Sequence, residues 1–112
     1  MSVSLSKDEF VTFVLIYAAH GDRVVKDSET EYIKERTSAE LYDKVFEAFD
    51  ANDHVRNFQI LLRHKEMYYP GRQGSEDLLG EMESVFLADG EYHDLEHELF
   101  TAVRNVFSGI TQ

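Results

Sequence analysis

SKDEFVTFVLIYAA, residues 6–19, opens on a hydroxyl and an acid and closes on an unbroken apolar run, Phe13 to Ala19. Ser6 and Glu9 stand at the spacing of a capping box, in which the hydroxyl serves the amide of the third helical residue and the carboxylate reaches back to the cap. Behind them Phe10, Phe13, Val14, Tyr17 and Ala18 recur every three or four positions, the period that gathers side chains on one helix face. The same period returns at Leu41, Val45, Ala48 and Phe49, at Val55, Phe58, Leu61 and Leu62, and at Leu78, Met82, Val85 and Phe86. It closes the chain at Leu95, Leu99, Ala102, Val103, Val106, Phe107 and Ile110. No alternating run of strand type interrupts it. The chain reads as all-α, a compact single-domain bundle of five to six helices over residues 1–112, at about 6–20, 28–36, 38–50, 53–68, 75–88 and 94–109.

Further helix starts are marked by Ser28 with Glu31 and by Thr37 with Glu40, again at capping-box spacing, and by Ser75 ahead of Glu76 and Asp77. YPGRQG, residues 69–74, reads as the clearest loop, because Pro70 biases Tyr69 away from helix and two glycines follow. The final helix is expected to lay Leu95, Leu99, Val103, Val106 and Phe107 on Phe10, Val14 and Tyr17 of the first.

With 112 residues, 43% hydrophobic, there is material for one core and not for two. The 22 acidic against 11 basic residues give a formal charge of −11, which disfavours nucleic acid and anionic membrane as partners and favours cations or basic proteins. Absence of cysteine removes disulfides, thiolate metal sites and a cysteine nucleophile together. No targeting segment or bilayer-length apolar run is visible, so the expected location is cytoplasmic and membrane insertion is not expected.

One internal repeat carries chemistry. AAHGDRVVKDSETEYI from Ala18 and FLADGEYHDLEHELF from Phe86 share an Asp, an apolar residue three later and a Glu seven later: Asp22, Val25 and Glu29 match Asp89, Tyr92 and Glu96 at a constant offset of 67. In each copy an apolar helix ends before the Asp and a second begins near the Glu, so two acidic helix-turn-helix units are expected. Such a pair of carboxylates beside a positive helix start supplies hard oxygen ligands for Ca²⁺ or Mg²⁺, or else caps the helices and holds the turn. The second copy is the better cation site. Glu91 and Asp94 join Asp89 and Glu96 there, and Gly90 frees the backbone. The first copy sets Arg23 and Lys26 beside its acids.

The helix–ADGE–helix pattern and its degenerate first copy, AAHGDRVVKDSE, resemble the tellurite-resistance TerB-like domain, a bacterial all-α domain built around two related acidic helix-turn-helix units. The resemblance covers almost the whole chain and is most specific at VFLADGEYHDLEHELF, residues 85–100. It implies a stress-response role and divalent-cation binding, carried by Asp22, Glu29, Asp89 and Glu96. Arg23 stands where that pattern has Gly, and Val24 where it often has an acid.

Other constellations compete with plainer readings. HDLEH, His93 to His97, matches the H-x-x-E-H string of inverted zinc peptidases, which makes a zinc hydrolase through His93, Glu96 and His97 a remote alternative. A chain this short has little room for a third ligand and a cleft, and the plainer expectation is exposed histidines whose loss costs little stability. An EF-hand fails because, with Asp89 as the first loop position, Gly stands at the second rather than the sixth. DAND, residues 50–53, reads as a turn in which Asn52 or Asp53 caps the next helix. Tyr68 and Tyr69, with Met67 and Arg72, form either a partner-binding edge or the end of a core stripe. His20, close to Asp22, reads as a helix-end contact before a catalytic dyad. The expectation is thus a non-enzymatic domain that binds a divalent cation, Ca²⁺ or Mg²⁺ ahead of Zn²⁺, or an intracellular protein partner. The alternative is a purely structural protein-interaction module without metal.

Overall fold

A computed structural model describes residues 4–20, 27–86, 101, 102, 104 and 105. Its helices are α1 (Lys7–Ala19), α2 (Asp27–Arg36), α3 (Ala39–Ala51), α4 (His54–Tyr68) and α5 (Gly71–Phe86), and no strand occurs among the described residues. Thr101, Ala102, Arg104 and Asn105 are helical and exposed. No helix of the described residues is long and apolar enough to cross a membrane.

The capping box of α1 forms as its spacing predicts. Ser6 Oγ accepts from the Glu9 amide at 3.2 Å, and Glu9 Oε1 accepts from the Ser6 amide at 2.8 Å. The one-face stripe expected of α1 is a different matter. Every residue from Phe10 to Ala19 is buried, because α1 packs against α2, α3, α4 and α5 and has no solvent face to keep polar. Thr12 shares that interior by turning its hydroxyl onto the Asp8 carbonyl at 3.0 Å. Around this axis Ile33, Val45, Leu61, Leu78, Met82 and Val85 complete the core.

Three helix starts differ from expectation. Ser28 sits inside the first turn of α2 rather than ahead of it. At α3 the cap is Ser38, whose hydroxyl accepts from the Leu41 amide at 3.0 Å; Thr37 still belongs to the preceding helix end, its hydroxyl donating to the Ile33 carbonyl at 2.8 Å. At α5 the six-residue loop shrinks to Tyr69 and Pro70. Gly71, at φ +75°, reverses the chain, and Gly74 runs so close to the end of α4 that a Cβ there would collide with the Tyr69 carbonyl group. Ser75 is therefore buried inside α5, its hydroxyl on the Gly71 carbonyl at 3.1 Å. Asp53 does cap α4, accepting from the Arg56 amide at 2.7 Å.

Helix α4 also ties down the chain start. His64, wholly buried, accepts the Leu5 amide on Nε2 at 3.0 Å and donates from Nδ1 to the Ile60 carbonyl at 2.8 Å. Tyr68 donates its hydroxyl to the Leu5 carbonyl at 2.6 Å. Tyr68 thus ends the core stripe and serves as an anchor.

Candidate functional site

Helix α2 follows the first acidic turn, and its sequence DSETEYIKER is too polar to bury much. Only Glu29 and Ile33 on it are buried, one helical turn apart and therefore on the same face of a helix that packs against α1, α3 and α5. Glu29 is 1% exposed, a carboxylate held inside the protein in the first turn of a helix, where the backbone dipole favours negative charge. Asp27, two positions earlier, is exposed. The acid that closes the first repeat is thus the one turned inward.

On the other flank of the turn, His20 caps the end of α1. Its Nδ1–H donates to the Ile16 carbonyl at 2.8 Å, and its ring lies 5.0 Å from Phe49 and 5.7 Å from Phe46. Tyr17 stacks on His54 at 6.0 Å nearby. The imidazole is engaged with its own helix end and with α3, the arrangement of a structural cap.

Asp22, the dyad and repeat partner, lies outside the described residues. So do Asp89, Glu91, Asp94 and Glu96, the zinc-like trio His93, Glu96 and His97, and the proposed packing face Leu95, Leu99, Val103, Val106 and Phe107. Among the described residues no group of three or more His, Asp or Glu could hold a metal. DAND contributes none, since Asp53 is a cap and Asn52 donates to the Ala48 carbonyl at 2.7 Å. What Glu29 offers chemically is one buried hard oxygen donor at the edge of an acidic turn.

Some polar positions escaped sequence reasoning. His64 stands at four-residue spacing between Ile60 and Tyr68, on the apolar stripe of α4, which is the signal that could have found it. Asn57, also buried, donates to the Phe49 carbonyl at 3.1 Å and pins the end of α3 to the start of α4. Tyr69 lines a cleft with Lys7, Asp8, Val11, Arg36, Thr37 and Leu41, and no single window of sequence contains that set. No family profile, curated protein or solved structure matches the chain.

Proposed function

We propose that this chain is a non-enzymatic, cytoplasmic TerB-like domain of stress response that binds a divalent cation through its acidic helix-turn-helix units, with Asp89, Glu91, Asp94 and Glu96 as the stronger site and Asp22 with Glu29 as the weaker. Ca²⁺ or Mg²⁺ suits such all-oxygen ligands better than Zn²⁺. The supporting observation is the burial of Glu29: the closing acid of the first repeat points into the protein instead of solvating the surface. In sequence Glu96 is the counterpart of Glu29 in the second copy, where no Arg or Lys stands among the acids.

The test is a set of melting curves with and without millimolar Ca²⁺. A native-state ligand stabilises by RT ln(1 + [L]/Kd), about 2.7 kcal/mol at a hundredfold excess over Kd. Asp89→Asn should lose most of the shift and Asp22→Asn little of it; an unchanged shift in Asp89→Asn refutes the site. A wild-type protein indifferent to Ca²⁺, Mg²⁺ and Zn²⁺ alike would favour the second reading, a module with purely structural turns whose charge of −11 steers a basic protein partner.

A further inference from the structure

The residue ahead of the α1 capping box is held at both of its backbone polar groups by one turn of α4. Leu5, itself a core residue, gives its N–H to His64 Nε2 at 3.0 Å, and its carbonyl accepts the Tyr68 hydroxyl at 2.6 Å. Ser6, one position on, is fixed separately by its capping box with Glu9. A segment released from α4 would pivot at Ser6 and leave α1 in place.

The bond to Leu5 exists for one state of the imidazole only. An amide donates, so Nε2 must present a lone pair, and Nδ1, 2.8 Å from the Ile60 carbonyl, must carry the hydrogen. Both nitrogens of a neutral ring are thereby committed, and the ring is wholly buried between Phe10 at 5.7 Å and Tyr68 at 6.2 Å. A proton on Nε2 would set N–H against N–H and leave a cation in the core. Among the described residues the ring's partners are Leu5, Ile60, Phe10 and Tyr68; of these only Tyr68 titrates, as a phenol that carries no charge in acid. The elements that pack on α4 offer no counter-ion either. In the first turn of α1, Glu9 pairs with Lys44 at 2.8 Å and Asp8 is exposed. On α5, Arg72, Glu76, Asp77 and Glu83 are exposed and Glu81 binds Arg36. On α4 itself, the neighbouring Lys65 donates to the Glu66 carboxylate and the Gly71 carbonyl, both at 3.4 Å, and Arg63 is exposed.

We infer that Leu5 and His64 form a proton-operated latch: the segment ending at Leu5 lies on α4 while the imidazole is neutral, and comes away as His64 takes up a proton from solvent. The capping box outlasts the latch. Lys44, then the Ser6 amide, hold the Glu9 carboxyl below its ordinary value of 4.5, so the start of α1 keeps its charge at about pH 6.5, where a solvated imidazole titrates. A ring that binds the proton only when the segment is open raises the open-to-closed ratio about tenfold per pH unit below that value, and about thirtyfold between about pH 7.5 and about pH 5.

Amide hydrogen exchange of the full chain, followed by NMR and corrected for the intrinsic effect of pH, tests this. Protection of the Leu5 amide should fall about thirtyfold over that range, and protection of the Val14 amide in mid-α1 much less. His64→Gln supplies a side-chain carbonyl that accepts from Leu5 and takes no proton, so its Leu5 protection should stay level; His64→Phe should leave Leu5 poorly protected throughout. Should His64→Gln fail to fold, the nitrogen-15 shifts of the wild-type ring decide, since they should report a neutral His64 with its hydrogen on Nδ1 for as long as Leu5 is protected. Constant Leu5 protection in the wild type, an equal fall at Val14, the same fall in His64→Gln, or a protonated His64 beneath a protected Leu5 would each overturn the inference. None of these readings depends on divalent cation.

Discussion

Replacing His64 by Phe keeps an aromatic ring in place while removing both hydrogen bonds of the imidazole, the one to the Leu5 amide and the one to the Ile60 carbonyl. In the native protein Nε2 is the acceptor for the Leu5 amide at 3.0 Å, and the ring stacks on Phe10 at 5.7 Å. A phenyl ring retains the stack but offers no lone pair, so the Leu5 N–H stays buried without an acceptor, at a cost of about 1–3 kcal/mol. His64→Ala removes the ring as well; deletion of a large buried side chain adds a cavity, and the total should reach about 3–5 kcal/mol. Against a typical domain stability of about 5–15 kcal/mol, the second loss approaches unfolding.

Tyr68→Phe removes the other tether, the 2.6 Å bond to the Leu5 carbonyl, and should cost about 0.5–1.5 kcal/mol. Both tethers hold one residue. Once Leu5 has come away in the first variant, the second substitution has little left to break, so the double variant should be less unstable than the two losses added. Urea melts followed by circular dichroism measure all four proteins. A His64→Phe protein within about 0.5 kcal/mol of wild type would refute the anchoring role of the imidazole.

Gly74→Ala should cost more than about 2 kcal/mol, because its Cβ meets the Tyr69 backbone, whereas Gly80→Ala, with open space at that Cβ in mid-helix, should stabilise by up to about 1 kcal/mol; the same urea melts separate them, and equal effects would remove the tight α4–α5 corner. Glu9 makes stability fall in acid: the Lys44 ammonium at 2.8 Å, then the Ser6 amide, hold its carboxyl below the ordinary value of 4.5. Since the folded value is the lower one, the contribution is full above about pH 4.5 and lost as pH falls through the folded value, so Glu9→Gln should flatten the melting temperature against pH in that window and leave its slope near neutrality unchanged.

The helices were legible where the controlling physics is local. Ser6 with Glu9 and Asp53 with the Arg56 amide are contacts across three residues, and both form. Thr37 and Ser38 show the limit of that logic: either hydroxyl can cap, and the choice falls to Ser38 because Thr37 remains hydrogen-bonded to Ile33 in both its amide and its side chain. The glycines of YPGRQG mislead for a related reason. A loop and a close helix corner both demand residues without a Cβ, and only the position of Tyr69 against Gly74 tells them apart. In α1 the apolar run from Phe13 to Ala19 already lacked a polar face, yet periodicity alone does not reveal that four neighbours will cover it.

The same distinction separates the acidic repeat from the cleft around Tyr69. The proposed acidic turns are each written within eight residues, Asp22 to Glu29 and Asp89 to Glu96, so a repeat at constant offset is enough to nominate them. The cleft is assembled from positions 7, 36, 41 and 69, which approach one another only because α1 is central and α2, α3 and α4 all end or begin at its N-terminal rim. Lys7 and Arg36 look like ordinary surface cations in sequence. Their grouping follows from the core: burying α1 on every side forces the polar ends of its neighbours together at its rim, where Arg36 meets Glu81 and Lys7 lies over the Tyr69 ring.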